Sequence, residues 1–194
     1  MTYTLEVCVD SVASALAAKR GGADRLELCA DLIIGGTTPS LALVRQVKAE
    51  TGLPVRALLR PRFGDFCYDR YELAQMAETA AALVQAALNL GTILTSGQAV
   101  SAPAGASLLR RLVEAAGPDL EILVGAGVTP ANLPALAAET GAHAFHMSGK
   151  QVLDSRMTFR REGVPMGLPG FSEFEVWQTS EETIRAARRV LNEL

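Results

Sequence analysis

Leu5-Glu6-Val7-Cys8-Val9-Asp10 and Leu26-Glu27-Leu28-Cys29-Ala30-Asp31 carry one pattern twice, Glu-x-Cys-x-Asp, 21 residues apart. Side chains alternate along a strand, so Glu, Cys and Asp share one face while Val7, Val9, Leu28 and Ala30 share the other. Between the copies, Ser11 suits a helix N-cap and Gly21-Gly22 a helix stop. The repeat is therefore one strand and one helix. Two strands joined by a helix run parallel, and a parallel sheet needs helices over its apolar face.

The rest of the chain continues the alternation. Ser40 caps a helix running to about Thr51, and Val55–Arg60 reads as the third strand. A polar loop, Pro61–Asp69, leads to a helix from Tyr71 to about Leu90. Strands are expected at Ile93–Thr95, Glu121–Val124 and Ala144–Met147, with helices at Ala104–Ala116 and Pro130–Thr140. Ser148–Gln178 reads as loop-rich, and Ser180–Leu194 as the last helix. No linker divides residues 1–194, so one α/β domain of about six strand–helix units is expected. A GxGxxG turn is absent after the first strand, which argues against a dinucleotide-binding sheet. The acidic, thiol-bearing face suits instead the interior of a TIM-type barrel. Arg56, Leu58, Arg60 and Arg62 continue that polar face on the third strand.

Composition narrows the function classes. The 194 residues are 49% hydrophobic, which suits a folded core and excludes a disordered tail. A net charge of −3 and 5% aromatics leave neither a basic footprint nor a stacking platform, so no nucleic-acid partner is expected. Apolar runs fall short of the ~20 residues of a membrane span. Met1–Glu6 lacks a signal-peptide pattern, and the expectation is a cytoplasmic protein whose three cysteines are reduced.

Cys8 and Cys29 lead the candidate site residues. On neighbouring strands at equal heights, two thiols suit a soft ion, Cu(I) before Zn, which wants more ligands. The alternative is two small buried hydrophobes. Glu6, Asp10, Glu27 and Asp31 with Arg60 and Arg62 form a second group. It reads either as an anion clamp with an acid–base carboxylate or as a buried ion network. Gly125-Ala126-Gly127-Val128-Thr129-Pro130 runs from a strand into a helix, where backbone N–H groups suit a phosphate. Ser96 and Gly97, ending the fourth strand, and His146 on the sixth complete the set; each also has a structural reading as a turn or a hydrogen-bonded core residue. Cys67 reads as an incidental loop thiol. HxxxH, CxxC and GxSxG are all absent, which disfavours a zinc hydrolase, a redox dithiol and a serine hydrolase.

Several blocks of the chain resemble the copper homeostasis protein CutC family. They are Leu5–Ser11, Gly22–Cys29 with Gly35–Ser40, Arg60–Tyr68, Ile93–Gly97, Gly125–Val128, Phe145–Ser148 and Ser155–Met157. The resemblance implies a TIM-type barrel, a cytoplasmic location and a role in copper handling. It aligns Cys8 and Cys29 with the cysteines proposed as copper ligands, and brings no agreed catalytic activity. A second reading from the residues themselves is an enzyme acting on a small anionic or phosphorylated metabolite at the barrel mouth. There Arg60, Arg62 and the Gly125–Thr129 turn hold the anion, and Glu6 or Glu27 moves protons.

The family has eight units, and this chain shows about six. Tyr71–Met76 resembles the start of the family's third helix, whereas Leu83–Gly91 resembles the end of its fifth. Two units, at the ~30 residues each of an eightfold barrel, are missing between them. The expectation is an open or strained barrel with exposed edges at Val55–Arg60 and Ile93–Thr95. Such edges favour a homo-oligomer over a monomer.

Overall fold

The structure is a computed structural model that describes residues 2–84, 92–117, 120–161, 163 and 172–194. Six parallel strands alternate with helices and form one curled sheet. They are β1 (Thr4–Val9), β2 (Arg25–Leu28), β3 (Val55–Ala57), β4 (Thr92–Thr95), β5 (Glu121–Val124) and β6 (Ala144–Met147). The helices are α1 (Val12–Gly21), α2 (Leu41–Thr51), α3 (Arg70–Val84), α4 (Ala106–Ala116), α5 (Leu133–Thr140) and α6 (Glu181–Glu193). Strand order is β3-β2-β1-β6-β5-β4, so β3 and β4 form the two rims, as expected for a reduced, open TIM-type barrel. No pairing joins these rims among the described residues.

Local chemistry explains the element ends. Ser11, Ser40 and Ser180 each accept a hydrogen bond from the backbone N–H three residues on, opening α1, α2 and α6. Asp69 opens α3 as a capping box. Its carboxylate accepts from the N–H groups of Tyr71 and Glu72, while Glu72 accepts from the Asp69 N–H. Gly22, at φ +93°, closes α1 in the left-handed conformation. Gly21 has another reason to lack a side chain: a Cβ there would sit 2.6 Å from Ile184 Cβ on α6.

The core lies between the sheet and the helices. Leu5, Val7 and Val9 of β1, Leu26 and Leu28 of β2, and Phe145 of β6 are buried against Ala15, Ala18, Val47, Leu133 and Ile184. Each residue on the opposite parity faces the concave side. Burial of this apolar face is the main force holding the helices to the sheet.

Several boundaries differ from expectation. β3 ends at Ala57: Leu58 N–H donates to Leu28, where β2 stops, and Arg60 exchanges its hydrogen bonds with Thr38 of the loop instead. α5 begins at Leu133; the preceding turn is held by Asn132, whose side chain accepts from Thr129 N–H and donates to the Gly127 carbonyl. The Ser148–Gln178 segment is not all loop: β7 (Lys150–Asp154) pairs antiparallel with β8 (Glu175–Thr179). The α3 helix is described to Val84, and the expected continuation to Leu90 lies outside the described residues. No helix among the described residues is long and apolar enough to cross a membrane.

Candidate metal centre

Every strand of the sheet sends a polar side chain to the concave side, and these meet in one network. Glu6 on β1 is 1% exposed. Its Oε2 accepts from Arg25 Nε of β2 at 2.6 Å and from Arg56 Nη1 of β3 at 3.0 Å. Its Oε1 lies 2.9 Å from His146 Nδ1 of β6. Arg25 then reaches Glu121 of β5 through both terminal nitrogens, at 2.5 and 3.1 Å. Thr92 of β4 donates to the same Glu121 at 2.7 Å. Burial opposes ionisation of Glu6, but His146 and Arg25 outweigh it and hold its carboxyl below the ordinary range. Glu121 is lowered in the same way, burial opposing and the Arg25 and Thr92 hydrogen bonds prevailing.

The thiols lie one layer above this network. Cys8 and Cys29 are both buried and free, with their Sγ atoms 3.9 Å apart. They do not sit at equal heights. The register pairs Cys8 with Glu27, so Cys29, two residues further on and just past the end of β2, reaches Cys8 diagonally. Gly36 covers Cys29 closely; a Cβ there would be 3.2 Å from Cys29 Cβ. The hydrogen bond with Cys29, burial and the nearby Glu27 carboxylate push the Cys8 thiol well above its ordinary range. Cys8 Sγ, a Glu27 carboxylate oxygen and a His146 ring nitrogen all lie within 4.8 Å of one another. His146 Nε2 is 3.7 Å from Glu27 Oε2.

Other expected site residues lie apart from this cluster. Arg60 donates to the carbonyls of Gly35, Gly36 and Gly64, with its Nε buried and unpartnered. Arg62 pairs with Asp65 and Glu72 in the loop before α3. Neither arginine pairs with Glu6 or Glu27 among the described residues. Ser96 donates to the Ala99 carbonyl, and the Gly97 N–H to Thr95 Oγ1. Gly125 is needed where the sheet curls, since a Cβ would meet Leu94 at 2.6 Å and His146 Cβ at 3.5 Å. Gly127, at φ +72°, belongs to the turn that Asn132 ties. Cys67 is exposed in its loop. Arg25 and Glu121 were not anticipated. Arg25 shares the parity of Glu27 and Cys29, and that is the signal that could have found it.

Comparison with known proteins follows the same lines. The crystal structure of a copper homeostasis protein CutC from Streptococcus agalactiae superposes with a TM-score of 0.64 over 76% of this chain and 99% of that one, at 23% identity. Phosphoribosyl anthranilate isomerase from Thermotoga maritima superposes at 0.51 over the whole of both chains with 12% identity, a likeness of fold alone. A family protein CutC of Chromobacterium violaceum is 35% identical over 245 residues, covering 99% of both chains. The human copper homeostasis protein cutC homolog is 32% identical over 97% of this chain and 89% of its own. Alignments of that length exceed the 194 residues here by about two strand–helix units. The CutC family model matches residues 3–90 and 75–151, two spans that overlap over residues 75–90, from within α3 onward. The chain therefore belongs to the CutC family, with about two strand–helix units missing from its middle.

Proposed function

We propose that this protein takes part in copper homeostasis by holding Cu(I) between Cys8 and Cys29 on the concave side of the half-barrel. The observation that carries the reading is the pair of free, buried thiols with sulfurs 3.9 Å apart. Soft thiolates select Cu(I) over harder ions. At a metal–sulfur length of about 2.3 Å, that separation subtends close to the ~120° of a three-coordinate ion. The relatives' names, a human copper homeostasis homolog among them, support the same metal. The site works in the cytoplasm, where thiols stay reduced. The exposed rims at β3 and β4 favour assembly with a second copy of the chain.

The test is a titration of reduced protein with Cu(I) against a competing chelator, in a Cys67→Ser background to silence the exposed thiol. One ion per chain is expected, lost on substitution of both Cys8 and Cys29 by serine. Unchanged affinity in that double variant would sink the proposal.

A further inference from the structure

Glu6 is paired with Arg25 and Arg56, and Glu121 with the same two arginines. Glu27 is not matched in this way. No arginine pairs with it among the described residues, although only 18% of its side chain is exposed. What it faces instead is a set of metal donors. Cys8 of β1 stands level with Glu27 of β2, and His146 of β6 stands level with Glu6, two residues earlier on β1. Three adjacent strands thus bring a sulfur, a carboxylate oxygen and a ring nitrogen within 4.8 Å of one another. The ring turns Nδ1 to Glu6, at 2.9 Å, and Nε2 to Glu27, at 3.7 Å. Cys29 is not of this set: just past the end of β2, its thiol donates to the Val9 carbonyl.

We infer that Cys8 Sγ, a Glu27 carboxylate oxygen and His146 Nε2 form a site for a borderline divalent cation of the Zn²⁺ class, distinct from the Cys8–Cys29 pair and independent of the copper reading. The donor set selects the ion. Mg²⁺ and Ca²⁺ take oxygen throughout, and Cu(I) prefers sulfur to a carboxylate. Zn²⁺ accepts all three donor atoms. Such donors lie about 3.3–3.6 Å apart in a tetrahedral zinc site. The 3.7 Å between Glu27 and His146 is already close to that, and the other separations need to contract by about 1 Å. Thiolate and carboxylate together cancel the charge of the ion, so the half-buried site carries no net charge. The fourth position falls to water, reached from the concave side past Glu27 and His146, 18% and 13% exposed. On loading, the metal–sulfur bond forms as the Cys8 thiol proton leaves to solvent. A ring with hydrogen on both nitrogens, between its two carboxylates, also releases the Nε2 proton. The ring hydrogen that remains is on Nδ1, where Glu6 accepts it. Cys8 also belongs to the Cu(I) pair proposed above, so the two ions compete for it.

The experiment is X-ray absorption at the zinc edge on the reduced, Zn²⁺-loaded full chain in the Cys67→Ser background, with chelator competition for affinity. One ion per chain is expected, bound by one sulfur and by nitrogen and oxygen donors, with the outer-shell scattering of a single imidazole. Cys29→Ser is expected to leave that spectrum and the Zn²⁺ affinity unchanged. Cys8→Ser, Glu27→Gln and His146→Ala are each expected to weaken Zn²⁺ binding by more than the ~10–100-fold that loss of an outer-shell partner costs. Circular dichroism checks that each variant is folded; where one is not, the parent spectrum decides. Two sulfurs in that spectrum, no imidazole, zinc lost with Cys29, or an affinity indifferent to Glu27→Gln and His146→Ala overturns the inference. Failure to bind Zn²⁺ overturns it too, and leaves the copper reading intact, since Cu(I) is titrated separately. A protein that binds Zn²⁺ in this manner but not Cu(I) overturns the copper reading alone.

Discussion

Arg25 Nη2 lies 2.5 Å from Glu121 Oε1, although β1 and β6 separate their strands in the sheet. Only a strongly curled sheet brings β2 and β5 that close. The pair is thus a tie across the concave side, and Glu6 beneath it anchors the same guanidinium. Arg25→Met removes the cation while leaving Glu6 buried, and is expected to destabilise the fold by about 3–5 kcal/mol. Urea unfolding measures it. A loss of only ~0.2–1 kcal/mol, the value of an exposed pair, would show that curvature does not depend on this tie.

Acid should undo the same network. Glu6 and Glu121 both have folded values below the ordinary 4.5. Their contribution is therefore fully present above about that pH and is lost as pH falls through the lowered values. The expected result is a urea midpoint that drops steeply below pH ~4, with a shallower drop in Glu6→Gln. Asp10 has the opposite sign. Burial, aided by the charge of Asp31, raises its value against the backbone hydrogen bond from Leu32. Stability is lost as pH rises through that raised value, so Asp10→Asn should lift the midpoint at neutral pH.

The three cysteines should separate by reactivity. Cys67 is exposed, whereas Cys8 is 4% and Cys29 0% exposed. A chromogenic disulfide reagent is expected to titrate one thiol quickly in the native protein and all three in denaturant. Cys67→Ser should abolish the fast phase, and Cu(I) should leave that phase unchanged in the parent protein.

Gly36 joins the fold to the thiols. At φ +85° an alanine is strained, and its Cβ would meet Leu58 Cδ2 at 2.9 Å and Cys29 Cβ at 3.2 Å. The Leu58 tip can swing away, but Cys29 Cβ is fixed to the end of β2. Gly36→Ala is expected to destabilise by more than about 1 kcal/mol and to weaken Cu(I) binding by displacing Cys29. Unfolding and chelator competition, run together, check both.

The rims predict assembly. On β4, Ile93 and Leu94 are 48% and 44% exposed, unusual for a parallel strand. Beside β3, an open groove of about 550 Å³ runs between α3 and the start of α2. Light scattering after size exclusion is expected to give a mass above that of one chain, and a stable monomer would contradict the prediction.

Much of the fold was legible because period-two alternation in Glu6-Val7-Cys8-Val9 and Arg25-Leu26-Glu27-Leu28 announces two-faced strands, and serine and glycine mark the helix ends. The network was only partly legible. Glu6, Glu27 and Cys8 follow from parity within one strand, but the Arg25–Glu121 contact depends on how far the sheet bends, which no local pattern encodes. The relative height of Cys8 and Cys29 depends on the stagger between strands, so the expectation of level thiols missed by two residues. β7 and β8 escaped for another reason. Lys150-Gln151-Val152-Leu153-Asp154 is exposed throughout, and its partner lies some twenty residues on, so neither alternation nor a tight turn betrays the hairpin.

The place of β1 in the sheet has a consequence in time. It is made before the other strands of its sheet, yet its two neighbours are β2 and β6, and β6 begins at Ala144. Thr179 N–H, 165 residues further on, donates to Ser14 on α1, and Arg188 of α6 reaches back to the carbonyls of Tyr3 and Gly22. The nascent chain must therefore keep the apolar and acidic sides of β1 waiting until β6 and then α6 have been made. Native pairings of such long sequence separation form slowly. An unfinished chain exposes Leu5, Val7 and Val9 meanwhile, the surface that a chaperone would hold and that a premature stop would leave open to aggregation.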